Sequence, residues 1–346
     1  MAMVCKNVAV SILDGVVTLI TGMSKLERLL AGDNSVSVLF LGPPLPTKLT
    51  NSILILRIEE QLLTVSELLY DDKRTAHHVT MEVARIFRVR PKYLTVLEQV
   101  IRQIRVANEG KKAVKQFLTV PFDWTDEAHR SELEEMWTCL TQKDLPEGSI
   151  PPRLPDGLGP ISAEGMEAWK SIGFQEPSKD FRGVGVLGLK NLAYFARTHG
   201  PRAREVLHES THDPRYWFPF ASTGLNITAW LTQFLDEGHL RVFFYNNPAD
   251  PLSIFSTIYC FVFLEFSRFW HLTRPKDIMQ FGQVSEKFKT RILLTLEGVP
   301  DVSHHSEWGL NAQNSGEDLM EELTCWIDGE VHPHRHSRVL QHIVKI

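Results

Sequence analysis

The residue types best suited to act on a substrate lie in one run, where Arg182 stands between the pair Asp180-Phe181 and the glycines Gly183, Gly185 and Gly188. A guanidinium is planar, permanently charged and forked, so it matches phosphate or carboxylate oxygens better than a lysine does. The glycines satisfy GxGxxG, the spacing of a dinucleotide-binding turn. That turn needs a strand before it and a carboxylate about 20 residues later to receive the ribose. Here Pro177, Ser178, Lys179 and Asp180 precede the glycines, and Glu205 and Glu209 sit on a predicted helix, so the dinucleotide reading fails. What the glycines can do is clear side chains from around Arg182 and let another surface come close. Spacing alone leaves a second reading open, in which Arg182 pairs with Asp180 or another carboxylate and braces a turn.

Other candidate chemistry is weaker. His304, His305, His332, His334 and His336 lack the fixed cysteine or carboxylate partners of a structural zinc site, so no metal and no cofactor of the chain's own are expected. Cys5, Cys139, Cys260 and Cys325 lie far apart without a CxxC, which points to a reducing, cytoplasmic compartment. The sequon at Asn226 falls inside an apolar helical pattern. A formal net charge of -5 argues against a broad nucleic-acid footprint. The local basic run Arg102, Arg105, Lys111, Lys112 and Lys115 suits either a solvated helix face or an anionic lipid or acidic partner, so peripheral membrane contact is a secondary expectation. Pro152 to Pro155 fits PxxP but lies in a proline- and glycine-rich connection that yields the pattern by chance.

The elements that must position Arg182 read as helices. Apolar residues recur at three- and four-residue spacing over Ile53–Tyr70, Tyr93–Asn108 and Glu127–Thr141, the last with Leu133, Met136, Trp137 and Leu140 on one stripe. After Arg182 a helix through Leu189, Leu192, Ala193 and Ala196 stops at Gly200-Pro201. Further helices are predicted over Pro201–Glu209, Leu225–Glu237, Leu252–Leu272 as the central core helix, and Lys276–Glu297. The apolar stretch Val8–Ile20, interrupted by Asp14, is shorter than the roughly 20 residues of a membrane span and reads as a buried or peripheral element.

Beyond single motifs, Trp169-Lys170-Ser171-Ile172-Gly173-Phe174-Gln175 followed by Asp180-Phe181-Arg182-Gly183, Gly185, Gly188-Leu189, Leu192 and Tyr194-Phe195 resembles the signature of the ELMO domain, in the ELMO domain-containing (ELMOD) group. Gly224 to Thr228, Phe244-Tyr245-Asn246, Glu265-Phe266 with Phe269-Trp270, and Asp277-Ile278-Met279 with Glu286-Lys287-Phe288 are similar to later blocks of that family in the same order, over about residues 125 to 292. The resemblance implies an all-α, multi-helix bundle-like domain with a helical amino-terminal extension. It divides the chain into an apolar amino-terminal segment and proline-rich linker at 1–52, a helical extension at 53–120, an ELMO domain at 121–297 and a polar, partly disordered tail at 298–346.

It also implies a GTPase-activating protein for an Arf-family or Arf-like small GTPase, with Arg182 as the catalytic arginine. Trp169, Gln175, Asp180, Gly183 and Gly185 become GTPase-contact or arginine-positioning residues, and GTP and Mg belong to the partner. The connection Glu176-Pro177-Ser178-Lys179 is shorter than the usual family one, and Lys179 stands where the motif generally has threonine. ELMO proteins proper share the fold, lack the arginine and act as scaffolds for Dock exchange factors. The alternative is therefore a non-catalytic adaptor in small-GTPase and cytoskeletal or membrane-traffic signalling.

Overall fold

The computed structural model describes residues 23–31, 52–141 and 163–297, together with Met320, Leu323, Thr324 and Ile327. Among the described residues every regular element is helical, which agrees with the expected all-α class. The apolar stretch Val8–Ile20, the proline linkers and the histidines at 332–336 lie outside them. The described residues form two compact units: those up to Glu109 with Arg241–Pro248, and those of Gly110–Leu240 with the described residues of Ala249–Gly309 and Asp318–Ile346.

In the first unit, α1 (Lys25–Leu30) begins with a capping box, Ser24 accepting from the Glu27 N–H while the Glu27 carboxylate accepts from the Ser24 N–H. The predicted helix Ile53–Tyr70 is α2 (Ser52–Leu62), a 3-10 turn at Leu63–Val65, and α3 (Ser66–Leu69). A further helix, α4 (Ala76–Phe87), went unrecognised in the sequence. Thr75 caps it, and Ala76, Val79, Val83 and Ala84 bury one stripe. Glu59 is the buried centre of this unit, taking hydrogen bonds from Tyr70, Arg241 and Tyr245, and Arg241 also donates to the Tyr70 hydroxyl at 3.0 Å. That network explains why Arg241–Pro248, far along the chain, groups here. A buried carboxylate is tolerable only when its lone pairs are met by a cation and donors.

The long helix α5 (Leu94–Thr119) continues past the expected end near Asn108 and carries the chain into the second unit. There follow α6 (Glu127–Thr141), α7 (Ala163–Ser171), the short α8 (Pro177–Asp180), α9 (Gly185–Thr198), α10 (Gly200–His212), α11 (Phe220–Glu237), α12 (Pro251–Thr273) and α13 (Phe281–Glu297). The hub is α9, which packs against α6, α10, α11 and α12. Its Asn191 is fully buried yet satisfied, donating to Thr228 on α11 at 3.1 Å and accepting from Ser256 on α12 at 2.9 Å. Gly238, left-handed at φ 92°, ends α11 as its position after the last apolar residue predicts. α12 is long and apolar enough to cross a membrane, but 78% of its most apolar window is packed inside the protein. The carboxyl of its Glu265 is held above the usual range by burial, against the opposing pull of Arg268.

Candidate functional site

Arg182 lies at the end of a local construction that begins with an aromatic floor. Trp169 on α7 meets Trp137 of α6 edge-on at 5.1 Å and Phe174 at 5.8 Å. Phe174 in turn lies 5.6 Å from Phe181, whose ring also packs at 4.7 Å on Phe122. Trp169, Phe174 and Phe181 are all buried, and offset or edge-on pairs of this kind add to the gain from area alone. Phe181 is thus a rivet: it holds one end of the 3-10 turn Phe181–Gly183, closed by the Val184 N–H donating to the Phe181 carbonyl at 3.1 Å.

The segment before the turn is closed by Asp180. Its Oδ2 accepts from the Gln175 N–H at 2.8 Å and the Glu176 N–H at 3.0 Å, tying both ends of the six-residue stretch 175–180. Burial pushes the Asp180 carboxyl above its ordinary pKa, with these two N–H groups pulling the other way. The other nearby acid, Glu176, receives Lys179 Nζ at 2.6 Å. Both local carboxylates are therefore spoken for. Arg182 is exposed, and its guanidinium has no hydrogen-bond or ion-pair partner among the described residues. The bracing alternative, in which Arg182 pairs with Asp180, is not what the chain does.

The two glycines beside Arg182 have different work. A Cβ on Gly183 would meet nothing within 4 Å, so the space beside the arginine is open. Gly185 adopts φ +54°, and a Cβ there would lie 2.5 Å from the carbonyl oxygens of Leu118 and Val120. Gly185 thus admits the chain's own backbone at the end of α5 and not an outside surface, which leaves it the positioning part of its expected role. The Val186 N–H completes the seam by donating to the Val120 carbonyl at 2.9 Å. Trp169, 1% exposed, is floor and not contact surface, the place of an arginine-positioning residue. Gln175 is exposed, and its backbone N–H is what the site uses. Gly188, third of the GxGxxG set, packs against Val184 and Leu225. Sequence reasoning missed Phe122 and Trp137 as parts of the floor; the run Pro121-Phe122-Asp123-Trp124 before α6 was the available signal.

The basic run is largely occupied within the chain. Arg102 pairs with Glu98 at 2.5 Å, Arg105 donates to the carbonyls of Leu69 and Arg74, and Lys111 and Lys115 pair with Asp236 at 3.1 and 2.8 Å.

Among the described residues, a helical domain presents an unpaired arginine from a glycine-flanked turn over an aromatic floor. The family model described as the ELMO/CED-12 family matches residues 112–285, which is 174 of the 346 residues. The chain belongs to the ELMO/CED-12 family. It is 36% identical over 184 residues to ELMO domain-containing protein B of Dictyostelium discoideum, covering 53% of this chain and 58% of that protein. Against ELMO domain-containing protein 1 of Mus musculus the identity is 32% over 210 residues, 55% of this chain and 60% of the relative. ELMO domain-containing protein 2 of the same species is 32% identical over 176 residues, 50% of this chain and 55% of the relative. The chain thus matches somewhat over half the length of these curated relatives.

Proposed function

We propose that this chain is a GTPase-activating protein for an Arf-family or Arf-like small GTPase, and that Arg182 is the catalytic arginine it supplies in trans. The observation that carries the reading is the exposed, unpartnered guanidinium on a turn whose backbone is fixed from both sides. In phosphoryl transfer, charge spreads over the γ-phosphate oxygens, and a forked cation inserted from outside stabilises it. Such an arginine is worth about 10³ to 10⁵ in rate, or roughly 4 to 7 kcal/mol of barrier. A free cation on a fixed turn serves that end because little reorganisation is needed when the partner docks. Gly183 keeps the approach open, Asp180 holds the preceding segment, and Phe181 anchors the turn to the floor.

The test is single-turnover hydrolysis with a panel of GTP-loaded Arf and Arf-like proteins. Wild type accelerates hydrolysis by one of them, and Arg182→Ala abolishes the acceleration while remaining folded and still binding. A stable GTPase or exchange-factor complex with no acceleration by wild type would establish the adaptor alternative.

A further inference from the structure

The two most exposed large apolar side chains among the described residues are Met279, at 86%, and Leu272, at 73%, and they bracket a single connection between α12 and α13. Between them stand Arg274 and Lys276, both exposed and neither with an ion-pair partner among the described residues. The connection is built to hold this shape. Arg274 takes the left-handed conformation at φ 48° and caps α12 through its N–H to the Trp270 carbonyl at 3.2 Å. Asp277 accepts from the Met279 N–H at 2.9 Å, and the Lys276 N–H donates to the Gln280 side chain at 2.7 Å.

A third exposed apolar group belongs to the same end of the domain. Trp217, 43% exposed, lies between Tyr216, whose carbonyl accepts from Trp270 Nε1 at 2.7 Å, and Phe218, whose ring packs 5.9 Å from that of Trp270. Phe281, two residues after Met279, packs on the same Trp270 at 5.6 Å. The last turn of α12 therefore gathers the Trp217 loop and the 272–279 connection.

We propose that this end of the domain is a contact for an anionic membrane surface, with Leu272 and Met279 entering the acyl boundary, Trp217 at headgroup level, and Arg274 and Lys276 on lipid anions. Apolar tips flanking unpaired cations are what an anionic leaflet can satisfy simultaneously, and a tryptophan at the rim suits the headgroup zone. A protein partner fits less well. Three isolated side chains fall short of the roughly 800 Å² per partner of a stable protein interface, whose core also disfavours lysine. The inference does not depend on Arg182 or on GTPase stimulation.

Co-sedimentation of the full chain with phosphatidylcholine vesicles, with and without phosphatidylserine, tests it. Wild type binds the phosphatidylserine vesicles. Leu272→Ser with Met279→Ser weakens binding by about tenfold or more, since each buried side chain contributes appreciably. Arg274→Gln with Lys276→Gln weakens it by about tenfold at low salt and removes most of the salt dependence. All four sites are exposed, so the thermal midpoints stay at the wild-type value. No binding by wild type, or wild-type-level binding by either double variant, overturns the proposal. So does a dimer in analytical ultracentrifugation that Leu272→Ser with Met279→Ser converts to monomer, because the patch is then a protein interface.

Discussion

Asp180→Ala is the perturbation that most clearly separates the turn's construction from its chemistry. The wild-type carboxylate receives two backbone N–H groups, from Gln175 at 2.8 Å and Glu176 at 3.0 Å. Bonds to a charged acceptor contribute about 1.5 to 3 kcal/mol each when buried, but the exposed Gln175 N–H regains water when the acceptor is lost. The burial that raises the Asp180 pKa offsets a further part, leaving a net loss of about 1 to 2 kcal/mol at neutral pH. At 1.4 kcal/mol per decade, this lowers the closed-to-open ratio of the segment before Arg182 by about tenfold. Asp180→Asn keeps a side-chain oxygen able to accept both N–H groups and retains most of the stability.

The same raised pKa fixes a pH signature. A carboxyl whose folded value exceeds its ordinary 3.8 favours folding most when protonated. Relative to Asp180→Asn, wild type is therefore at its most stable below about pH 4 and loses that advantage as pH rises through the raised folded value. Urea denaturation of the three proteins from acid to neutral pH measures both effects, and single-turnover GTPase stimulation measures the consequence for Arg182. An alanine variant within about 0.3 kcal/mol of wild type, or a wild-type advantage that grows with pH, refutes the reasoning.

Two further perturbations follow from the packing. Gly185→Ala loses at least about 2 kcal/mol of stability through the left-handed backbone and the Leu118 and Val120 carbonyls, whereas Gly183→Ala stays within about 0.5 kcal/mol but impairs stimulation; calorimetry of the pair checks the contrast. In the first unit, Glu59→Ala strands Arg241 beside Tyr70 and Tyr245 and costs about 3 to 5 kcal/mol in chemical denaturation; a loss under about 1 kcal/mol shows that the pair is solvated instead.

Much of the helical frame was legible because its signals are local. The stripe in Glu127–Thr141 and the stop at Gly238 need only periodicity and a residue that tolerates positive φ. α4 was overlooked although its signals are local too: Thr75 stands at the cap position and Ala76, Val79, Val83 and Ala84 recur at helical spacing. Arg182 was legible as a cation beside glycines, but not whether it was free. That depends on Asp180 turning to the backbone of residues 175 and 176 and on Lys179 taking Glu176, choices between equally spaced partners that sequence cannot rank. Gly183 and Gly185, alike on paper, part company because only one faces the end of α5. The Glu59 cluster joins residues up to 186 positions apart, beyond any local pattern.

The central claim turns on one comparison, single-turnover GTP hydrolysis by a responsive Arf-family or Arf-like GTPase with wild type, Arg182→Ala and Arg182→Lys at saturating concentration. The account predicts stimulation of about 10³-fold or more by wild type, lost with either substitution because an ammonium lacks the planar fork, while complex formation persists. Stimulation by Arg182→Ala equal to that of wild type would contradict it.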